Sequence, residues 1–355
     1  MKKSEIDSIA SLIADYLPYR KLWISHEGNL AFFLKDSDDG SKLCRLDLNQ
    51  TFELDAGELI SDLDFSKQAF LPISYSKEES LLYIRSDQHN RENYSIYSLR
   101  IPGNSLELVI KCTKCVFVTS DIDMQKIFYI DRISVIDGKR HNKLFEYNLK
   151  TKIKKELYDD LNCIHTLAPG LSISLDTNKI IALCRRDSLR NKHNLLAINI
   201  KGNSSKVLLD ESQETSRLKI VERNFDTDGI HFISDNCGWD DLFYLYFFDK
   251  KIENMTVCDG PTNGLGILKT KSSKNIVNLS YDRDNQQTII NIKSSNFDKS
   301  IIKKGNLYLE DNIDGYWLFS SSMSCGPRRQ KMKIESENLK ETKHLKLFRG
   351  KIENL

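Results

Sequence analysis

The residue types able to do chemistry are few and scattered along this chain. Cys112 and Cys115 have the CxxC spacing of half a zinc site or of a dithiol redox pair. A tetrahedral site needs further ligands at matching spacing, and Cys163 and His165 are the nearest, about one repeat later. The two cysteines are therefore read as small buried side chains in a connector between strands. DSDDG (36–40) has the acid density of a calcium loop but lacks the Asp/Asn alternation and the closing Glu, so it reads as a hairpin tip. The histidines (26, 89, 141, 165, 193, 231, 344) show no HxH or HxxxH spacing. His231 alternates within a strand pattern, whereas His89, His141 and His193 fall at tips. A nucleophile elbow needs G-x-S-x-G on a strand–turn–helix. The one pair of glycines at that spacing, Gly260 and Gly264, flanks Thr262 between two strand patterns. No catalytic residue, no metal-ligand set and no cofactor motif is assigned.

Binding chemistry is better represented. Trp239 stands at a hairpin tip flanked by Asp235, Asp240 and Asp241, the composition of an exposed aromatic anchor, with packing inside the hairpin as the alternative. Arg328 and Arg329 follow Pro327 in another tip, where two guanidinium forks suit a carboxylate and a merely solvated tip is the plainer reading. Trp239, Asp235, Asp240, Arg328 and Arg329 are the candidate ligand- or partner-binding residues.

The elements that must position them recur. Apolar runs begin at Leu30, Leu81, Ile127, Ile180, Ile230, Ile276 and Tyr316, each followed by a polar turn and a second run. Strands repeating at roughly 40 to 50 residues are the mark of a β-propeller, because one four-stranded blade buries its faces only against its neighbours. The fold expected is all-β: a seven-bladed propeller of four-stranded antiparallel blades over 21–350, with a tail at 351–355. Six or eight blades are the alternatives, since the sixth is weakly patterned. Residues 1–20 carry Ile6, Ile9, Leu12, Ile13, Tyr16 and Leu17 at helical spacing, with Pro18 as a stop. That predicts an N-terminal helix on the rim or in one mouth.

A formal charge of +2, from 52 Lys and Arg against 50 Asp and Glu, leaves no strong nucleic-acid footprint. No run approaches the roughly 18 apolar residues of a membrane span, and the opening residues lack a secretory core. Cysteines such as Cys44, Cys184 and Cys258 lie inside apolar patterns, which suits a reducing compartment. A cytoplasmic protein, bound to neither nucleic acid nor membrane, is expected.

The segment 225–251 also carries Asp228-Gly229, Ser234-Asp235, Gly238-Trp239 and then Leu242, Tyr244 and Tyr246. This resembles a blade of the propeller domain of the prolyl oligopeptidase family, and WLFSSSMSCGPRR (317–329) resembles that family's last blade. TolB-like propellers share part of the pattern. In that family an α/β-hydrolase domain with a serine nucleophile follows the propeller, whereas this sequence ends where it would begin. The resemblance therefore implies the fold and transfers no catalytic residue.

Three functions are compatible with this reading. The first is a non-catalytic binding or scaffold module for a protein or peptide, like the family's gating propeller. The second is the propeller half of a split or truncated serine peptidase, partnered by a separate α/β-hydrolase chain. The third is a small-molecule lyase or cyclase working in the central funnel, for which the sequence supplies no convergent His, Asp or metal set. In each, the inward first strand of a blade is expected to line the site.

Overall fold

A computed structural model describes residues 19–25, 29–50, 56–87, 93–121, 125–136, 139–161, 163–186, 193–202, 204–209, 217–221, 225, 227–235, 240–256, 262–269, 274–282, 284–285, 287–293, 298–304, 306–313, 316–322 and 331–336. The described strands form seven antiparallel sheets, six of four strands and the last of three, each a meander in chain order. We call them blades one to seven.

Blade one holds β1 (Tyr19–Ile24), β2 (Leu30–Ser37), β3 (Gly40–Asp47) and β4 (Glu58–Ser61). Blade two holds β5 (Leu71–Ser76), β6 (Leu81–Ser86), β7 (Ser95–Arg100) and β8 (Leu106–Ile110). Blade three holds β9 (Cys115–Ser120), β10 (Lys126–Ile136), β11 (Lys139–Asn148) and β12 (Lys154–Asp159). Blade four holds β13 (His165–Ser174), β14 (Lys179–Arg186), β15 (Asn194–Asn199) and β16 (Ser205–Leu209). Blade five holds β17 (Leu218–Ile220), β18 (Gly229–Ser234), β19 (Asp241–Tyr246) and β20 (Ile252–Asn254). Blade six holds β21 (Thr262–Lys269), β22 (Lys274–Asp282), β23 (Gln287–Lys293) and β24 (Asp298–Lys304), and blade seven β25 (Asn306–Ile313), β26 (Tyr316–Ser322) and β27 (Lys331–Ser336).

The strands gather into two compact units: Ser66–Pro261, with blades two to five, and Met1–Phe65 joined with Thr262–Leu355, with blades one, six and seven. In the second of these units the DSDDG segment is the β2–β3 hairpin, Ser37 pairing with Gly40. Gly40 turns the chain at φ +103°, a conformation that favours a residue without Cβ. Strand β1 begins at Tyr19, inside the stretch read as helix, so that boundary is corrected by two residues. The rest of the expected helix lies outside the described residues, and no described helix is long and apolar enough to cross a membrane.

Within Ser66–Pro261 the blades are held by cores that lie between sheets. Side chains alternate across a strand, and along β10 Ile127 and Tyr129 join a cluster with Ile73, Tyr83 and Ile96 of blade two. Phe128 and Ile130, one residue out of step, join Leu167, Leu171 and Ile180 of blade four. Along β14, Ile180 and Ala182 face blade three, while Ile181 and Leu183 pack with Leu218, Ile230 and Phe232 of blade five. This is why these strands are apolar throughout rather than in alternation: both faces are buried, each such side chain contributing about 1.5–3 kcal/mol.

Polar ties cross the same boundaries. Arg85 donates from Nη1 to the Val116 carbonyl at 2.6 Å, and Asn142 from Nδ2 to the Leu167 carbonyl at 3.0 Å. A repeated device pins the first strands of blades two, three and five. The Asp87 carboxylate accepts the Ala69 N–H (3.0 Å), Asp131 accepts those of Thr113 (3.1 Å) and Lys114 (2.8 Å), and Asp235 accepts that of Arg217 (2.6 Å). In these three blades the carboxylate comes from the second strand, at or just past its pairing with the start of the first, and holds the backbone that enters that first strand.

Candidate functional site

The first strands β9, β13 and β17 stand side by side in sequence order, β9 beside β13 and β13 beside β17. They line a cleft of about 320 Å3, and β14 and the residue before β15 contribute further walls. Its apolar surface comes from Phe117, Leu171, Leu183, Leu218 and Ile220, and its polar groups from Arg185, His193 and Lys219.

The cleft follows from an irregularity in β13. Leu167 pairs with Cys184 and Leu171 with Ala182, so Ala168, Pro169 and Gly170 bulge opposite Leu183 alone. Pro169 has no N–H to give to the ladder, and Gly170 takes φ +150° with Leu183 so near that an added Cβ would lie 2.5 Å from its Cδ1. Pro and Gly inside a strand mark such bulges. On β14, Ile181, Leu183 and Arg185 share one face by alternation. Arg185 therefore ends an apolar row with a charge at the cleft.

Arg185 donates from Nε to His193 Nε2 at 2.9 Å, and the Leu218 N–H is directed at His193 Nδ1 at 3.3 Å. A neutral imidazole has only one nitrogen able to accept, so the two donors compete for it. Burial, then the charges of Arg185 and Arg217, holds the His193 pKa below its ordinary value. Burial, then the charge of nearby Arg140, also lowers the pKa of Arg185, and the same two causes act on Arg132.

Of the residues singled out from the sequence, Trp239, Arg328 and Arg329 lie outside the described residues. Asp235 and Asp240 come to the edge of this cleft. Asp235 holds the backbone of Arg217, just before β17, and Asp240 pairs with Lys219 at 3.2 Å. Both partners of that pair are exposed, so it contributes roughly 0–1 kcal/mol. Arg185, His193 and Arg140 were missed. The available signals were a charge extending the apolar row Ile181–Leu183, and the APG tripeptide inside a strand pattern.

His141 is a correction. It does not sit at a tip but is buried in β11, where its Nε2 meets Asp159 Oδ1 at 2.8 Å and its Nδ1 meets Ser134 Oγ at 3.3 Å. The expectation of no convergent His and Asp is corrected with it, since His141, Asp159 and Asp160 bring their ligand atoms within 4.8 Å of one another. Neighbouring strands gathered residues that lie 18 positions apart.

These groups are spent on structure. Asp160 accepts the N–H groups of Asn142 (2.7 Å) and Leu167 (2.9 Å). Asp159 takes Lys143 at 2.7 Å and the Leu161 N–H at 2.9 Å. A Ser–His–Asp line is present, yet Lys143 already offsets the aspartate charge that would stabilise an imidazolium. Ser134 also lies in a strand, with no nucleophile elbow.

Burial pulls the Asp159 pKa up, but Lys143, the Leu161 N–H and His141 outweigh it and hold the carboxyl at about 2. A carboxylate whose pKa is lower folded than unfolded stabilises the fold above its unfolded value and loses that stabilisation as pH falls. The urea midpoint of the wild type is therefore expected to fall from about pH 4 to pH 2, and that of Asp159→Asn to show a shallower decline. Equal declines in the two proteins would show that the corner does not titrate in this way.

The CxxC pair is explained locally. Asp131 caps the turn through the Thr113 and Lys114 amides, Cys112 and Cys115 are buried and free, and a hydrogen bond between their thiols, then burial, raises the Cys112 pKa. Cys163 lies at the β12–β13 connection, its thiol directed at the Asp159 carbonyl at 3.4 Å.

No protein-family model and no curated protein matches the sequence. Solved structures do match in fold, and prolyl oligopeptidases and other peptidases are among them. The chain spans about half the length of those it matches, the extent of the propeller domain alone. A prolyl endopeptidase studied for inter-domain dynamics in catalysis and specificity aligns at TM-score 0.68 and 9% identity, over 95% of this chain and 51% of that one. Prolyl oligopeptidase B from Galerina marginata, without ligand, aligns at 0.67 and 10% identity, over 96% and 53%. A puromycin-hydrolysing peptidase from Mycobacterium tuberculosis aligns at 0.62 and 8% identity, over 94% and 54%. At such identities the likeness is one of fold, and it agrees with the all-β blade architecture expected from the repeats.

Proposed function

We propose that this chain is a propeller binding module that takes a peptide or an extended protein segment against the first strands of blades three to five. The observation that carries the reading is the cleft itself: a largely apolar wall with Arg185 and Lys219 in its lining, in the size range of small-ligand sites, roughly 300–1,000 Å3. One of the fold neighbours, prolyl oligopeptidase B from Galerina marginata, was solved bound to a 25-residue macrocyclization substrate, which supports a peptide as the ligand class. Free, mostly buried cysteines support a reducing compartment such as the cytoplasm.

The test is calorimetric titration of the chain with short acetylated peptides, repeated with Ile220→Trp, which narrows the cleft from a half-buried wall position. Saturable binding weakened about tenfold by Ile220→Trp is expected. Failure of every peptide to bind, or equal binding by the variant, would overturn the reading.

A second reading is favoured by the extent of the match: the neighbours are peptidases, and this chain covers about half of each. On that reading the propeller gates an α/β-hydrolase supplied by a longer chain or by a separate one. Labelling of a co-purified hydrolase with a serine-directed fluorophosphonate supports it. A partner that carries no such label counts against it.

A further inference from the structure

Arg132 and Arg140 of the β10–β11 hairpin and Arg185 of β14 carry charge of one sign. Arg140 acts electrostatically on both of the others. Nε of Arg132 is buried without a hydrogen-bond partner, and among the described residues no carboxylate pairs with any of the three. Arg132 and Arg185 are half-buried, and like charges so placed cost free energy unless an anion joins them. Only Nε of Arg185 is engaged, by His193, so among the described residues its two terminal nitrogens remain for a ligand. They form the planar fork that matches a carboxylate.

The imidazole adds to the case. It receives two donors and can satisfy one, so an anion that draws Arg185 away leaves His193 to accept the Leu218 N–H alone. Phe117 and Ile220, both half-buried, give this cleft apolar surface beside the charge. A hydrated inorganic anion gains nothing from such walls, whereas a C-terminal residue with an apolar side chain carries both groups at the right separation.

We propose that the cleft recognises the free C-terminal carboxylate of a peptide, Arg185 clamping the carboxylate, Arg140 adding attraction, and the last side chain packing on Phe117 and Ile220. The proposal rests on the cleft being the peptide site.

The experiment is calorimetric titration of the chain with acetyl-Ala-Ala-Leu-Leu as the free acid, as its C-terminal amide, and with N-acetyl-leucine. The free acid is expected to bind about tenfold tighter than the amide, as befits a charge-assisted bond. Arg185→Gln should abolish that preference. Arg140→Gln, at an exposed position where folding is not at stake, should reduce it about threefold through a partly screened charge. Equal binding of acid and amide would overturn the carboxylate clamp while leaving the peptide site standing. Binding of neither peptide would remove the site and the clamp together, and N-acetyl-leucine binding as tightly as the peptide would overturn the peptide as carrier.

Discussion

Gly229→Ala destabilises the chain by about 3 kcal/mol, at the upper end of the cost of overpacking. Gly229 opens β18 opposite Tyr246, and a Cβ there would land on the Leu245 carbonyl oxygen and 2.6 Å from Tyr244 Cζ. The carbonyl is backbone of β19 and cannot yield without breaking the pairing of Ile230 with Leu245. The turn is held by the Phe247 N–H on the Asp228 carbonyl at 2.8 Å and by the edge contact of Phe225 with Phe247. Gly202→Ala is the control, since the nearest atom to its Cβ is the end of the Asn199 side chain at 3.3 Å. Urea midpoints should fall for the first variant and barely move for the second. Equal midpoints would mean that β18 and β19 separate at little cost.

Asp131→Ala is the other large effect, with a loss of about 3 kcal/mol because two charge-assisted bonds disappear at once. Asp131 is only 3% exposed, and its removal leaves the Thr113 and Lys114 amides without their acceptor at the entry to β9. The same device in blades two and five has one bond each, from Asp87 to Ala69 and from Asp235 to Arg217. Asp87 is buried and Asp235 half-buried. The expected order of destabilisation is Asp131, then Asp87, then Asp235, the last about 1 kcal/mol. Equal losses at all three positions would show that neither burial nor bond number sets the contribution.

This repeated clamp gives a physical reason for the Ser-Asp ending that made blade five recognisable. The strand apolar on both faces, as in IFYI and IIAL, was legible for a similar reason, because contiguous apolar residues in a short strand imply neighbours on either side. The candidate cleft was less legible. Arg132 and Arg140 share the β10–β11 hairpin of blade three, but Arg185 belongs to blade four, and nothing local in the sequence relates it to them. His141 was misread because it sits in the polar run KRHNK, where nothing local signals burial. Its partner Asp159 lies a strand away, and that pairing is what allows a histidine inside. Pro169 and Gly170 were visible as breakers, but a bulge gives no hint of the arginine that will border it.

The cores that lie between blades bear on how such a chain evolves. In the unit of blades two to five, three apolar clusters join blade two to three, three to four and four to five. The inherited element is then the seam rather than the sheet. A duplicated or deleted repeat regenerates a seam from side chains already fitted to one another, while drift within a seam asks only that paired volumes be kept. Chains only about a tenth identical can thus share one architecture.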